Sequence, residues 1–305
     1  MNWFIIAIAS YFILAVVNLV DKRLLVSLIP GPRIYAFYVG ILGALIAVLI
    51  PFVNFRVPDF GGILLAISAG AIFVLALLYL YRALRLFETS RVVPTIGGLT
   101  PIFAVFLIYF FSLGKELLPY SKWPAFLLLL GGTVLINWDR RQSINYTFKS
   151  FQIAAFAAFL FALHFVLVGY VYLGQSFWSG LIMIKLGGLF PAAALFLFSE
   201  EVRAEIFKRR VTFKGKTVGV FAANQAAGAG ANLLQNWAIA LAPLVFIPVI
   251  NALQGSQYVF LLLLTILFSF KFPNLLKEEV SAKVLGQKII ATALIAAGTF
   301  LFFVR

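Results

Sequence analysis

The chain contains no cysteine, which excludes disulfides, thiolate metal sites and cysteine nucleophiles. Histidine occurs once, at position 164. A metal site built on it would need partner ligands at recognisable spacing, and the sequence offers none. Charge is scarce: 11% of residues are Asp, Glu, Lys or Arg, against about 25% in a soluble domain. Acidic residues are scarcest, 10 against 24 Lys plus Arg, and none stands deep in an apolar run; Asp21, Glu88, Glu116 and Glu278 all lie at ends. No P-loop is present, so ATP does not act from within this chain. A membrane-embedded enzyme would need a nucleophile–base pair or a carboxylate cluster, and neither is found. No enzymatic activity and no cofactor are expected.

What is there is apolar. Of 305 residues 63% are hydrophobic, and mean hydropathy is +1.06. The apolar material falls in runs of roughly 20 residues, the length that crosses a hydrocarbon core of about 30 Å. The expected fold class is an all-α polytopic membrane protein; a β-barrel would show short alternating segments instead. Ten transmembrane helices are placed at 2–20, 34–53, 61–84, 93–113, 122–138, 151–173, 177–198, 217–240, 243–270 and 285–304. Met1 to Ser10 lacks a basic n-region and its apolar run continues to Val20, so it reads as a span rather than a cleavable signal. Net charge +14 would point to nucleic acid in a soluble protein. In a membrane chain it meets anionic headgroups. The partners expected are therefore membrane lipids and a small-molecule substrate, not nucleic acid; a homodimer is left open.

One stretch organises the rest. Tyr81 to Pro101 (YRALRLFETSRVVPTIGGLTP) has a quieter counterpart in Trp237 to Gly255 (WAIALAPLVFIPVINALQG). An offset of 154 pairs Pro94 with Pro248, Ile96 with Ile250 and Leu99 with Leu253. One residue of slippage pairs Leu78 with Leu233 and Ala83 with Ala238. The polar connection Trp138 to Lys149 separates a first five-helix repeat, 1–139, from a second, 148–305. An odd helix count per half inverts one half against the other. That is the plan of many secondary transporters, whose substrate site lies near the midplane between repeats. Loop Lys and Arg fall almost wholly on one side, the other holding only Arg56, Lys115, Lys122 and Arg305. The positive-inside rule then puts both termini outside the cytoplasm.

Residues Leu77 to Trp138 resemble the EamA-type domain of the drug/metabolite transporter superfamily. The matching elements are Arg82-Ala83-Leu84, Ser90 to Pro94, Leu99 with Pro101, Leu113-Gly114-Lys115-Glu116, and Gly131-Gly132. The resemblance implies ten helices in two inverted five-helix repeats, and it is poor for substrate, because the superfamily carries many kinds of metabolite. The second half replaces the Ser-Arg and Thr-x-Pro pattern with Val245, Phe246 and Gln254-Gly255. Family habit keeps the termini in the cytoplasm, against the loop charges. Small multidrug relatives carry a carboxylate in their first helix; residues 2–17 here hold none, which disfavours antiport of lipophilic cations.

Ionisable residues at membrane depth are costly and mark candidate sites. Lys185, about nine residues into the seventh span, is read as a cationic anchor for an anionic or zwitterionic substrate, or else as a cap on the carbonyls of a broken helix. His164, near the centre of the sixth span, is either a proton relay or a neutral ring bonded to a carbonyl in the packing. At 100° per residue Gln225, Gly228, Asn232, Gln235 and Asn236 share an arc of about 100° on the eighth span, and are expected to line a cavity wall. In the ninth span Asn251, Gln254, Gly255 and Tyr258 share a face near Pro248; Thr95, Gly98 and Pro101 supply the counterpart surface in the first half. Tyr11, Asn18, Tyr35 and Tyr38 are weaker candidates. Arg82, Arg85 and Arg91 read as topological anchors, and Glu200 to Lys216 as a basic surface segment against headgroups. The function expected is a secondary transporter or facilitator that moves a small polar metabolite across the cytoplasmic membrane by alternating access. The alternative is a lipid-linked carrier or flippase that recognises phosphate headgroups.

Overall fold

The computed structural model describes residues 2–27, 31–86, 89–136, 147–207, 215–257, 259–260, 263–264 and 282–304. These residues are 90% helical and contain no strand. The first half comprises α1 (Asn2–Ser27), α2 (Pro32–Gly43), α3 (Phe60–Leu86), α4 (Thr89–Phe111) and α5 (Trp123–Ile136). The second comprises α6 (Thr147–Gly174), α7 (Phe177–Gly187), α8 (Leu189–Phe198), α9 (Glu200–Phe207), α10 (Gly215–Leu241), α11 (Ile247–Ala252) and α12 (Ala282–Val304).

Four described segments are long and apolar enough to cross a membrane: Pro32–Phe52, Phe60–Arg85, Phe151–Gly174 and Phe177–Phe198. The chain is thus a helical, membrane-embedded protein. The first of these joins α2 to a 3-10 stretch, Ala44–Phe52. Helices α1, α4 and α12 contain further apolar stretches at Asn2–Val17, Thr95–Phe111 and Ile289–Gly298. Helix α10 is long yet falls outside this set, because Asn224, Gln225, Asn232, Gln235 and Asn236 lower its hydropathy. Four such segments are fewer than the ten spans expected from the sequence.

Two further expected spans are not single α-helices. Span 177–198 divides into α7 and α8 at Gly188. There the Gly188 N–H donates to the Lys185 carbonyl (3.2 Å), a turn tighter than an α-helix, and Pro191 lacks the N–H that would continue the ladder. Span 243–270 begins as a 3-10 turn, Leu244–Phe246, runs through the short α11, and turns again at Leu253. Helix α4, in contrast, passes unbroken through both Pro94 and Pro101. It ends at Leu113 and Gly114, with φ of 52° and 79°. The Gly114 N–H donates to the Tyr109 carbonyl at 2.8 Å, so the Leu-Gly pair in the family-like motif is a left-handed helix cap.

Packing crosses between the halves. Helix α1 lies along α10, and α3 along α6; α5 packs on α12 and α4 on α11. Helix α4 also packs on α6, while α1 reaches the segment after Pro243 by Trp3 stacked on Phe246 (5.6 Å) and Phe12 against Phe260 (5.3 Å). Glycines bring α3 and α7 close. A Cβ on Gly187 would stand 2.8 Å from the Ile67 Cα, and one on Gly70 would stand 2.8 Å from the Ile184 carbonyl carbon. Backbones this near exclude any larger side chain. At one end of the bundle Glu201 on α9 lies 3.9 Å from both Arg33 and Arg85. Arg82 stands over the Tyr79 ring at 5.6 Å. The expected surface segment is therefore helical over α9, with Val202 buried; residues 208–214 and Arg91's side chain lie outside the described residues.

Candidate functional site

The glycine crossing of α3 and α7 sets the position of Lys185. Its Cα lies about 12 Å along the axis from Phe177, near the middle of a span about 33 Å long. The half-buried Lys185 sends its Nζ to the Asn232 Oδ1 on α10. A lysine carries donors only, so the atom that faces it is the amide oxygen. The same oxygen accepts from Asn236 Nδ2 at 3.0 Å, and Asn236 Nδ2 also reaches the Asn232 carbonyl at 2.8 Å. The Asn236 Oδ1 in turn accepts from the Tyr172 hydroxyl on α6 at 3.0 Å. Tyr172 stacks on Phe177 (5.6 Å), which lies 6.0 Å from Trp237. Below the ammonium is the Phe73 ring, 5.3 Å away. A cation over an aromatic face gains about 0.5–2 kcal/mol. Among the described residues Lys185 makes no ion pair.

His164 is buried and its Nδ1 lies 2.9 Å from the Ala69 carbonyl, so that nitrogen donates. The ring packs 4.8 Å from Phe73. Of the two roles open from the sequence, this is the geometry of the packing role: the histidine ties α6 to α3 beside the lysine.

The amide stripe of α10 divides among four neighbouring helices. Asn232 and Asn236 join Lys185 and Tyr172. Gln225 donates to the Tyr35 hydroxyl on α2 at 3.0 Å, and Gln235 to the Tyr11 hydroxyl on α1 at 3.1 Å. Tyr11 then donates to the Ile250 carbonyl at 2.8 Å, satisfying a group freed where α11 ends. Thr133 on α5 bonds the Ala252 carbonyl at 3.4 Å, serving the same broken element. The Tyr11 hydroxyl thus helps hold the interruption at Pro248 in place, whereas the Thr133 proton is directed first to the Leu129 carbonyl of its own helix at 2.8 Å.

Asn251 is 1% exposed and neither side-chain atom has a partner among the described residues. The Ser10 Oγ is equally buried and unpartnered. Gln254 is half-buried on the next turn, and Tyr258 lies outside the described residues. On α4 Thr95 is half-buried, but Gly98 faces α5, where a Cβ would stand 2.7 Å from the Val134 Cγ2. Gly98 therefore serves helix packing and not the expected cavity surface.

The structure thus gathers Lys185, Asn232 and Asn236, sets His164 against their aromatic wall, and engages Gln225 with Tyr35 instead; Thr95 stands on α4, Asn251 on α11 and Gln254 just after it. Two partners in the cluster, Tyr172 and Phe73, were not singled out from the sequence. A tyrosine near a helix end reads as an interface anchor, and nothing distinguishes Phe73 from other phenylalanines until α3 and α7 are crossed. Among the described residues no group of three or more His, Cys, Asp or Glu could hold a metal.

No known family's profile matches the chain, and no curated protein sequence does. The fold, however, recurs among solved structures, of which 23 chains match. One crystal structure of a protein 16% identical to this one superposes with a TM-score of 0.67, covering 99% of this chain and 96% of its own. At that identity the likeness concerns the fold alone.

Proposed function

We propose that the chain is a secondary transporter or facilitator of a small polar metabolite, working in a bacterial or archaeal cytoplasmic membrane by alternating access. The observation that carries this reading is Lys185: a cation near mid-span, held by an amide and an aromatic ring, with no carboxylate beside it among the described residues. A charge in that position is expensive, and a substrate that arrives with the opposite charge offsets the cost.

The helix contacts support two inverted five-helix repeats, 1–139 and 148–305. Exchanging the halves turns the α1–α10 pair into the α6–α3 pair, and the α4–α6 pair into the contacts of α1 with Phe246, Ile250 and Phe260. The α5–α12 and α4–α11 pairs map onto themselves. Such an exchange is what an EamA-type transporter of the drug/metabolite superfamily would display, and the motifs in residues 77–138 agree with it. In this reading α7 and α11, both interrupted, are the mobile elements on either side of the site.

The test is flux into proteoliposomes of purified protein across a broad panel of polar metabolites, with Lys185→Ala as control. Uptake of at least one solute that Lys185→Ala loses is the expected outcome. If no solute enters faster with wild type than with Lys185→Ala, the reading is wrong. Scrambling of labelled phospholipid in its place would transfer the function to the lipid carrier.

A further inference from the structure

Resting on that transport reading, we infer that the Lys185 site takes an anion, a carboxylate or phosphate group without an ammonium of its own, and not a zwitterion. The donors and acceptors around the lysine decide this. Both acceptor oxygens that α10 presents are engaged internally: the Asn232 Oδ1 takes Lys185 and Asn236, and the Asn236 Oδ1 takes Tyr172. What remains uncommitted beside the ammonium is mainly donors, namely two N–H bonds of Lys185 and the Asn232 Nδ2, while the acceptors left are single neutral ones, the second lone pair of the Asn236 Oδ1 and the Tyr172 hydroxyl oxygen. A carboxylate or phosphate oxygen supplies acceptors for these and offsets the charge of Lys185 in one step.

An ammonium group would find the reverse. It needs acceptors and counter-charge, and it would approach a cation with only neutral, partly engaged oxygens and no carboxylate beside it among the described residues. The rest of the surroundings are rings: Phe73 under the lysine, and Phe177 beside Tyr172 with Trp237 next along. His164 is turned to the Ala69 carbonyl and buried against Phe73. A carbon skeleton of modest size suits such a wall, with its acid group directed at Lys185.

Asn232 offers a specific test. Asn232→Asp is nearly isosteric and turns the oxygen already bonded to Lys185 into a carboxylate, so it neutralises Lys185 from within, keeps the local bond and removes the Asn232 Nδ2 donor. Thermal unfolding of the full chain in detergent is followed with sodium lactate, sodium phosphate, alanine, alaninamide or sodium chloride at matched ionic strength. Lactate or phosphate is expected to stabilise wild type beyond chloride, while alanine and alaninamide do not. In Asn232→Asp and in Lys185→Met that stabilisation should weaken at least about tenfold in apparent affinity, the loss of one charge-assisted bond. Equal stabilisation by alanine, an unchanged response in Asn232→Asp, or no response to either anion would each overturn the inference. The two readings fail separately. Lys185-dependent flux of a zwitterion keeps transport and removes the anion, whereas anion stabilisation without flux of any solute keeps the site and removes transport.

Discussion

Two buried polar centres in this protein follow opposite rules. Around Lys185 the Asn232 and Asn236 side-chain oxygens on α10 each have a donor, and one cation is left without counter-charge among the described residues. Around Asn251 an entire amide is left without any partner among the described residues. A connected network can hold a lysine in the bundle because each bond fixes the next. An isolated amide has no such support and costs roughly 1–3 kcal/mol while it stays unpaired. The first centre is built for a guest of defined charge; the second tolerates a cost beside a helix break.

The glycine crossing on which the Lys185 centre depends should show the largest effect on stability. Gly187→Val forces a side chain into the Ile67 backbone, and overpacking of this kind costs about 1–3 kcal/mol. Reversible unfolding in mixed micelles measures it; a stable variant with unaltered flux would mean that α3 and α7 can separate freely. Asn251→Leu should move the other way, raising unfolding free energy by up to about 1–3 kcal/mol as the orphan amide is removed. Loss of stability instead would reveal that Asn251 has partners, and would erase the contrast between the centres. The smallest change is expected for Tyr172→Phe, which removes one donor to the Asn236 oxygen and should cost about 0.5–1.5 kcal/mol. It also frees an acceptor near Lys185, so discrimination against alanine should fall in the same variant. Unchanged discrimination would show that the occupied oxygens do not control selectivity.

Much of the helical plan was legible because apolar runs of membrane length admit few other structures. Lys185 and the amides of α10 were legible for a related reason: polar side chains stand out against an apolar run. The interruptions were harder. Gly187-Gly188 in an apolar run is compatible with an unbroken helix, and the close approach of Ile67 and Gly40 joins Pro191 in accounting for the turn there. Proline was an equally weak guide, since α4 continues through Pro94 while the matched Pro248 lies in a fragment of six residues. The difference lies in a tertiary donor: the Tyr11 hydroxyl takes up the Ile250 carbonyl that the second element frees. The division of the α10 stripe was not legible either. Helical periodicity places Gln225, Asn232, Gln235 and Asn236 on one arc, but which of α1, α2, α6 and α7 each meets depends on packing between halves. His164 was ambiguous for the same reason, as its partner is a backbone carbonyl 95 positions away.

The most direct measurement is solute flux in proteoliposomes loaded at equal density with wild-type protein or Lys185→Ala, both first checked for a monodisperse, cooperatively unfolding fold. At least one small anionic solute should cross the wild-type membranes, and its rate should fall about tenfold or more when the Lys185 charge-assisted bond is removed. Indistinguishable rates for every solute in two well-folded samples would contradict the central role given to Lys185.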